Sequence, residues 1–174
     1  MKTGVRDMEE ADIEMVVDYF IDADEGSLLA MGADLNRLPS RKAWLTIMTD
    51  VLKLPDKEKD RYYQIWMLDD EPIGHSNINK IIYGDHAYMH LHMWQMTNRN
   101  TGLGYELLKL SIPNYFSRFE LKKLVCEPYA LNVAPNKTLK KLGFAFIKSY
   151  DTIPGNLAFH QSVIRYELTK ENFK

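Results

Sequence analysis

Apolar residues recur at two different spacings along this chain, and the change of spacing separates helices from strands. Helical spacing predicts a first helix that is capped by Asp7 and a second that is capped by Ser40. A short extended piece at residues 4–6 precedes the first helix, and residues 22–39, between the two helices, show little periodicity. The N-terminal part is therefore expected to contribute one strand and two helices.

The rest of the chain switches between strand-like and helix-like patterns. Period-two runs separated by turn residues predict a three-stranded antiparallel meander at residues 62–68, 73–82 and 87–96. A long helix, which Pro113 is expected to kink, opens at Gly102-Leu103-Gly104. The remaining predicted elements are a strand at 123–127, a helix at 135–142 that ends at Gly143, and strands at 144–150 and 159–168. This order predicts a single α/β domain over residues 1–174, with a mixed, mostly antiparallel sheet of about six to seven strands flanked by about four helices.

Composition narrows the class of protein. A length of 174 residues is typical of one domain, and 22 basic against 24 acidic residues give a net charge of −2, which disfavours nucleic-acid binding. The single cysteine, Cys126, excludes an intramolecular disulfide. The start of the chain is too charged for a signal peptide, and no apolar run approaches the roughly 20 residues that cross a bilayer. We therefore expect a cytoplasmic protein with neither nucleic acid nor membrane as a partner.

One segment carries a pattern typical of anion binding. Arg99-Asn100-Thr101-Gly102-Leu103-Gly104 lies between a predicted strand and the long helix. Glycines there allow a sharp turn, so that successive N–H groups of the first helical turn point at one anion, such as a diphosphate. The same pattern also occurs in ordinary turns. A P-loop would need a lysine that this segment lacks, and a Rossmann site would follow a first parallel strand.

A second pattern, at residues 132–144, makes the interpretation of the glycine turn more specific. Asn132-x-x-Pro135-Asn136-x-x-Leu139-x-x-Leu142-Gly143-Phe144 follows the next predicted strand. Together with Arg99-x-x-Gly102-x-Gly104 it resembles the GNAT N-acetyltransferase superfamily, most closely its branch of ribosomal-protein N-terminal and related small-molecule acetyltransferases. The resemblance is densest over residues 89–144. It implies an acetyl-CoA-dependent N-acetyltransferase, in which a primary amine of a small molecule or a protein N-terminus attacks the acetyl carbonyl directly.

The resemblance also implies cofactor contacts. The main-chain amides of the glycine turn would bind the diphosphate of acetyl-CoA, and the backbone of Trp94 and Met96 would hold the pantetheine arm. An N–H near Trp94 or Gln95 would stabilise the developing oxyanion. Asn132 would contact the arm or a water near the sulfur, although an asparagine there is also a good helix cap. The nucleotide end is expected near Asn136 and Lys137.

The reaction needs a proton acceptor, because a lysine-like amine is neutral in only about one molecule in 2,500 at pH 7. Strand alternation puts Tyr88, His90, His92 and Trp94 on one face, which is expected to face the acceptor. The candidate bases are His90, His92 and Glu127, while each histidine could equally be a packing residue and Glu127 could bind a cation.

The sequence departs from the family pattern at the position of the general acid. Leu139 stands where many members have tyrosine, and Pro135 where this branch often has serine. Tyr129, a water on Asn132, or no acid at all remain as alternatives, and Tyr129 could also be a loop aromatic that packs on the core.

The acceptor is expected between the connection of the first two helices and the last hairpin. That connection contains Asp22, Asp24, Glu25 and Asp34, which would attract a cationic amine or form a solvated loop. His75, Asn77 and Asn79 alternate on one face of the second meander strand and could add polar contacts, although the sequence does not decide which face.

Two other functions compete with catalysis of acetyl transfer. His90-x-His92 with His75 could ligate zinc or iron in a metal-dependent enzyme. A non-catalytic acyl-CoA-binding or sensing domain would keep the glycine turn without turnover. An exposed strand edge near Tyr166 is compatible with a monomer or a homodimer.

Overall fold

A computed structural model of the chain describes residues 2–173, which form one seven-stranded sheet and five α-helices. The strands are β1 Thr3–Asp7, β2 Arg61–Leu68, β3 Glu71–Ile82, β4 His86–Met93, β5 Lys123–Cys126, β6 Ala145–Thr152 and β7 Gln161–Thr169. The helices are α1 Ile13–Ile21, α2 Glu25–Met31, α3 Arg41–Lys53, α4 Leu103–Arg118 and α5 Val133–Lys141. Among the helices of residues 2–173, none combines the length and apolar character that a membrane crossing requires.

The sheet has the order β1-β2-β3-β4-β5-β7-β6. Its described strand pairs are antiparallel except β4 with β5, which run parallel and are joined by the crossover through α4. The predicted fold class, a mixed and mostly antiparallel sheet flanked by helices, is confirmed. The structure has one helix more than expected.

Two apolar layers cover the two faces of the sheet. On one face, α4 and α5 bury Leu107, Leu108, Ile112 and Leu139 against the central strands. On the other, α1, α2 and α3 form a second core against β2, which includes Val17, Leu28, Met48 and Ile65. Both layers follow from the helical spacing of apolar residues, which gives each helix one apolar side. Helix α4 continues through Pro113 to Arg118.

The additional helix is α2, which lies in the segment that showed little periodicity. Asp24 caps it by accepting from Ser27 N–H at 2.9 Å, and Gly32 ends it in the left-handed region at φ 82°. A helix of seven residues spans only two turns, so its single buried residue, Leu28, leaves no periodic pattern in the sequence.

Asp7 is not the cap of the first helix, and that prediction was wrong. It is the last residue of β1, and its carboxylate binds Tyr62 and Arg118. The turn before α1 is instead closed by a reciprocal capping box between Glu9 and Asp12. Both partners of Asp7 are distant in the chain, which is why a local capping pattern was misleading.

Candidate active site

Strands β4 and β5 are paired over only part of their length. The pairing covers residues 86–88 of β4. β5 ends at Cys126, whose Sγ donates to Met89 O at 3.0 Å. Beyond that point the chain follows β7, where Tyr129 bridges Val163, whereas β4 stays paired with β3. A V-shaped gap therefore opens between β4 and β5 from Met89 onward.

The backbone of β4 alternates its hydrogen-bonding direction between β3 and this gap. Trp94 N–H donates to Ile73 O at 3.0 Å, so it addresses β3. Met89 O and Met93 O accept bonds on the other side of the strand. Leu91, between them, therefore presents its N–H and C=O to the gap. The expectation that the Trp94 amide holds the cofactor or the oxyanion is corrected, because that N–H is already paired.

Arg99 connects the glycine turn to the end of β4. Its guanidinium donates to Met93 O from two nitrogens, at 3.1 and 3.3 Å, and its own N–H donates to Met96 O at 3.1 Å. Met96 itself begins a short 3-10 turn and is exposed. The Arg99 side chain thus ties the glycine turn to the end of β4.

The glycine turn presents free amides at the N-terminus of α4. Asn100 and Gly102 have left-handed backbone conformations, with φ of 60° and 91°. Thr101 Oγ1 accepts from Leu103 N–H at 3.4 Å. Within residues 2–173, no acceptor is found for the N–H groups of Thr101, Gly102 and Gly104. Since a helix N-terminus is positive, these amides form a site for an anion.

The space in front of the turn is open. A Cβ built at Gly104 would lie more than 4 Å from every other described part of the chain that it could contact. Lys141 Nζ lies 3.9 Å from the centre of the Tyr105 ring and Lys109 Nζ 5.7 Å from it, and these side chains line a pocket beside the first turn of α4. The unpaired amides and the open face fit the diphosphate of a nucleotide-containing cofactor, and Lys109 and Lys141 are cations of the neighbouring pocket.

The start of α5 borders the same gap. Asn132 precedes the helix and makes no side-chain capping bond in the described part of the chain, so the capping alternative for it is not supported. Asn136 is buried, and its Nδ2 donates to Tyr129 O at 3.0 Å and to Asn132 O at 2.7 Å. That nitrogen holds the loop together from inside rather than reaching a nucleotide. Lys137 is exposed.

The histidines lie together on the face of the sheet that α1 covers. His75 is opposite His92 in the register of β3 and β4, and their rings stack with 4.7 Å between centroids. Tyr19 and Phe20 of α1 pack on His92 at 5.5 and 5.0 Å. His90 follows on the same face two residues earlier in β4, as the alternation predicted.

All three imidazoles are neutral at pH 7. Burial lowers the pKa of His75 to about 3 and that of His90 to about 4, and it holds the pKa of His92 well below its usual value. Burial removes the water that would stabilise an imidazolium, and nearby groups add repulsion, among them His90 beside His75, Lys80 beside His90 and Arg99 beside His92.

Two hydrogen bonds define the roles of the ring nitrogens. Trp94 Nε1 donates to His75 Nδ1 at 2.8 Å, so His75 Nδ1 carries no proton. His90 Nε2 lies 3.2 Å from Asn79 Oδ1, which as an acceptor places the proton on Nε2. His90 Nδ1 then keeps a lone pair that no residue among 2–173 occupies.

The histidines do not converge on a metal. Stacked rings point their nitrogens past each other, and one nitrogen of His75 is bonded to Trp94. No group of three His, Cys, Asp or Glu side chains within the described residues is arranged to hold an ion. The metal alternative therefore has no support in this part of the chain.

Glu127 follows β5 and is engaged by two partners. Its carboxylate accepts from Arg165 Nη1 at 3.0 Å and from the Tyr150 hydroxyl, and its side chain is only 7% exposed. Arg165 also binds Glu167 at 2.7 Å and the Tyr88 hydroxyl at 3.2 Å. Glu127 is thus a member of a charge network, and the cation that it binds in this structure is Arg165.

The surroundings of Tyr129 agree with the alternative that it is a loop aromatic packed on neighbouring residues. The Tyr129 ring packs edge-on against Phe159 with 5.7 Å between centroids, and Leu139 is fully buried. The exposed strand edge that was expected near Tyr166 is not found, because β7 lies between β5 and β6 in the sheet and Tyr166 is 0% exposed.

A bridge closes the side of the molecule where the acceptor was expected. Asp34 N–H donates to Leu157 O at 2.8 Å, and Gln161 Nε2 donates to Gly32 O at 2.8 Å. These bonds join the residues after α2 to the segment between β6 and β7 and to the first residue of β7. The two segments that were expected to flank the acceptor are therefore in direct contact.

Only part of the acidic segment is available to a cation. Asp24 is bonded to Ser27, which holds its pKa below the usual value, and Asp34 accepts from a backbone N–H of its own turn at 2.9 Å. Asp22 and Glu25 make no side-chain hydrogen bond or ion pair to residues 2–173. These two carboxylates are the ones that could attract an amine.

Replacing Gly32 by alanine tests the bridge. A Cβ there would lie 2.3 Å from Gln161 Oε1, and φ is 82°. Gly84 has a similar φ of 78° with nothing near its Cβ, so Gly84→Ala measures backbone strain alone. We expect Gly84→Ala to lower the free energy of unfolding by about 1 kcal/mol and Gly32→Ala by at least about 1 kcal/mol more, measured by urea unfolding. Equal losses would show that the Gln161 contact contributes nothing.

Comparison with known proteins identifies the family of this chain. A family model described as an acetyltransferase (GNAT) domain matches residues 3–145. The chain therefore belongs to the GNAT acetyltransferases. Acetyl-CoA is the acetyl donor of this family, in agreement with the open glycine turn.

Solved structures of the same fold have several different acceptors. Spermidine N-acetyltransferase from Vibrio cholerae, solved with CoA and spermine, has a TM-score of 0.79 and 12% identity, covering 98% of this chain and 96% of that one. A ribosomal L7/L12 alpha-N-protein acetyltransferase, solved with CoA, has a TM-score of 0.77 and 14% identity, covering 97% of this chain and 94% of that one. An aminoglycoside acetyltransferase, solved with CoA and kanamycin, has a TM-score of 0.73 and 16% identity, covering 98% of this chain and 96% of that one. These likenesses show the fold, and they do not single out the ribosomal-protein branch. No curated protein sequence matches this chain.

Proposed function

We propose that residues 1–174 form one acetyltransferase domain that moves an acetyl group from acetyl-CoA to a primary amine. The observation that carries this proposal is the set of unpaired amides at the N-terminus of α4, next to the gap between β4 and β5. When bound, acetyl-CoA supplies an activated acyl carbonyl. The chain supplies the binding site, the orientation of both reactants and the path of the proton.

The cofactor is proposed to follow the gap. The amides of Thr101, Gly102 and Gly104 would hold the diphosphate, with Lys109 and Lys141 nearby as cations. The gap-facing backbone of Leu91 replaces Trp94 as the partner of the pantetheine arm, and Gln95 is still a candidate donor to the carbonyl oxygen. Asn132, with its side chain uncommitted, would bind the arm near the sulfur.

The acceptor is proposed to be a cationic amine that enters beside the α2 bridge. Every charged residue from Asp7 to Asn36 is acidic, and Asp22 and Glu25 are uncommitted. Carboxylates near a cleft concentrate ammonium groups. Structures with the same fold were solved with spermine and with kanamycin, which supports a polyamine or a related small amine, and a protein N-terminus is the alternative acceptor.

The histidines are proposed to accept the proton of the attacking amine. His90 Nδ1 keeps a lone pair, and the low pKa of the ring keeps it neutral, so it can accept a hydrogen bond through water. Glu127 is bonded to Arg165 and is better placed to organise the charge network than to act as a base. Because burial lowers the pKa of His90 to about 4, we expect kcat to follow the neutral fraction of the amine from pH 6 to 9, without an inflection near pH 6.5.

Substitution of the candidate bases tests this assignment. We expect His90→Gln and His92→Ala to lower kcat by about a hundredfold without changing the affinity for acetyl-CoA in calorimetry. His86→Gln, on the same strand but outside the gap, is the control and should leave kcat unchanged. A loss in Glu127→Gln alone would move the base to that carboxylate, and unchanged turnover in all three site variants would discard the assignment.

The decisive experiment is a thiol-release screen. Purified protein is incubated with acetyl-CoA and with polyamines, aminoglycosides, amino acids and peptide N-termini, and free CoA is measured. Amine-dependent release supports the transferase. Calorimetric uptake of acetyl-CoA without release for any amine would favour the acyl-CoA-binding domain, which the absence of a tyrosine at Leu139 makes a specific alternative. No uptake at all would refute both.

A further inference from the structure

A second cavity lies at the end of the sheet where β4 and β5 are still paired. It has a volume of about 150 Å³, and it is bounded by the ends of β1, α3 and α4 and by the start of β2. Its walls carry three cations, Lys59, Arg61 and Arg118, and we name it the Lys59 cavity. Arg61 is opposite Asn79, which is opposite Tyr88 of β4. The cavity is therefore two strands away from β4, on the part of the sheet that precedes the gap.

The ammonium of Lys59 is buried with most of its donors unused. Its side chain is only 10% exposed, and Nζ donates to Asp56 Oδ1 at 2.9 Å. An ammonium has three N–H donors, so two of them have no acceptor within residues 2–173. A donor that is shut off from water and left without an acceptor costs free energy. The cavity that Lys59 lines is where an acceptor would complete its hydrogen bonds.

The two guanidinium groups of the wall also keep a free donor each. Arg61 binds Asp60 through Nε and Nη2, both at 2.9 Å, and its Nη1 makes no hydrogen bond within residues 2–173. Arg118 binds Asp56 through Nε and Asp7 through Nη1, which leaves its Nη2 in the same state. These three carboxylates balance the three cations in charge. What remains at the wall is a set of hydrogen-bond donors without acceptors.

The other walls of the Lys59 cavity are apolar or aromatic. They consist of Met8, Val51, Leu52 and the rings of Tyr62 and Tyr63. In other proteins an apolar cavity of about 150 Å³ binds one benzene molecule. A ligand of this size would place one ring or a short branched chain against the apolar walls and its acceptor oxygens against the cations. A carboxylate suits that end, because its two oxygens match the parallel N–H donors of a guanidinium.

We propose that the Lys59 cavity binds a small carboxylate whose apolar body has about the size of one ring. The carboxylate would accept from Lys59 and from the two arginines, and the body would lie on the apolar walls. An inorganic anion would use the donors and leave the apolar walls empty, so it should bind more weakly. This site shares no residue with the glycine turn or with the gap between β4 and β5. The proposal therefore goes beyond acetyl transfer and does not depend on it.

The first test compares three probes by calorimetry at one ionic strength. Benzoate has the ring and the carboxylate, benzamide has the same ring without the charge, and inorganic phosphate has the charge without the ring. We expect benzoate to bind saturably, and benzamide and phosphate at least about tenfold more weakly. Benzoate should also raise the midpoint of thermal unfolding, because it binds the folded chain and not the unfolded one.

The second test removes the buried ammonium. Lys59→Met keeps the aliphatic chain, and we expect it to lower the affinity for benzoate at least about tenfold. Lys53→Met is the matched control, since Lys53 also pairs with an aspartate three residues earlier, Asp50 at 3.9 Å, but its side chain is 71% exposed and lies outside the cavity. This control should bind benzoate as the wild type does.

A further variant covers the case in which Lys59→Met does not fold. Arg61→Gln removes one guanidinium of the wall, and its partner Asp60 is 62% exposed, so water takes over the hydrogen bonds of that carboxylate. We expect Arg61→Gln to remain folded and to lower the affinity for benzoate at least about fivefold.

The results that would overturn the proposal are specific. If folded wild type shows no saturable benzoate binding, the cavity holds only water and the Lys59–Asp56 pair is a brace of the α3–β2 connection. Equal affinity for benzamide, or unchanged affinity in both Arg61→Gln and Lys59→Met, would refute the role of the donors. Equal affinity for phosphate would refute the carboxylate with an apolar body. Acetyl-CoA uptake is measured separately on the same preparation, so failure of either proposal leaves the other intact.

Discussion

Acidification from pH 7 to pH 5 is expected to lower the free energy of unfolding by about 2 kcal/mol through His75 alone. Its pKa is about 3 in the folded chain, because the ring is buried, against about 6.5 in the unfolded chain. At pH 5 the unfolded chain therefore binds a proton at His75 that the folded chain does not bind. The contribution of His75 to the free energy of unfolding is fully present above about pH 6.5, and below it falls by at most about 1.4 kcal/mol per pH unit.

The structure gives a second reason why His75 stays neutral in the folded chain. His75 Nδ1 accepts from Trp94 Nε1, and indole is a donor only, so protonation at Nδ1 would set two donors against each other. The other titratable groups that face the ring are His90, His92, Tyr19 and Tyr63, and none of them is negative at this pH. No carboxylate is available to stabilise the cation in this part of the described fold.

Urea unfolding at pH 7, 6 and 5 measures the effect. The variant His75→Gln removes the titrating group, and the exposed His160→Gln serves as the control. The stability difference between wild type and His75→Gln should change by about 2 kcal/mol from pH 7 to 5, in the direction that favours the variant in acid. His90 and His92 add a decline of the same sign that both proteins share. A difference that is constant with pH would contradict the buried neutral imidazole.

Gly104→Ala is expected to separate cofactor binding from folding. Gly104 is in the first turn of α4, and a Cβ there meets nothing within 4 Å in the described chain. Alanine in a helix is more stable than glycine by up to about 1 kcal/mol, so the free energy of unfolding should stay the same or rise. A helical Cβ leans toward the N-terminus, where it would occupy the space in which a diphosphate meets the amides.

The expected loss is at least about tenfold in affinity for acetyl-CoA for Gly104→Ala, and about a hundredfold for the larger Gly104→Val. Isothermal calorimetry on the folded variants provides the values. Gly155→Ala is the matched control, since its Cβ also meets open space but lies far from α4 in the chain. If the affinity survives in Gly104→Val, the diphosphate does not lie at this turn.

Local patterns were sufficient for the elements with many periodic residues. The strands of the meander and the long helix were predicted because their core faces repeat over several residues, and the structure places them within a few positions of the prediction. The short helix α2 was missed since only Leu28 is buried. Asp7 was misread because a capping residue and a strand-end partner of Arg118 look the same in a sequence.

The site residues divide in the same way. The glycine turn was found from sequence, because the need for left-handed backbone at Gly102 restricts the residue type locally. The direction of the Trp94 amide was not, because it depends on which neighbouring strand accepts its hydrogen. The exposed strand edge expected near Tyr166 was wrong, since the pairing of β7 with both β5 and β6 depends on the order of the strands in the sheet.

The amino-acid order by itself thus determined the succession of helices and strands apart from α2, the anion-binding turn and the family resemblance, which depend on local sequence patterns. The three-dimensional packing decided the rest: the gap between β4 and β5, the neutral histidines beneath α1, the engagement of Glu127 by Arg165 and the unused donors of the buried Lys59. Each of these is a relation between groups that are distant in the chain, and burial or pairing of that kind exists only once the sheet and its covering helices have assembled.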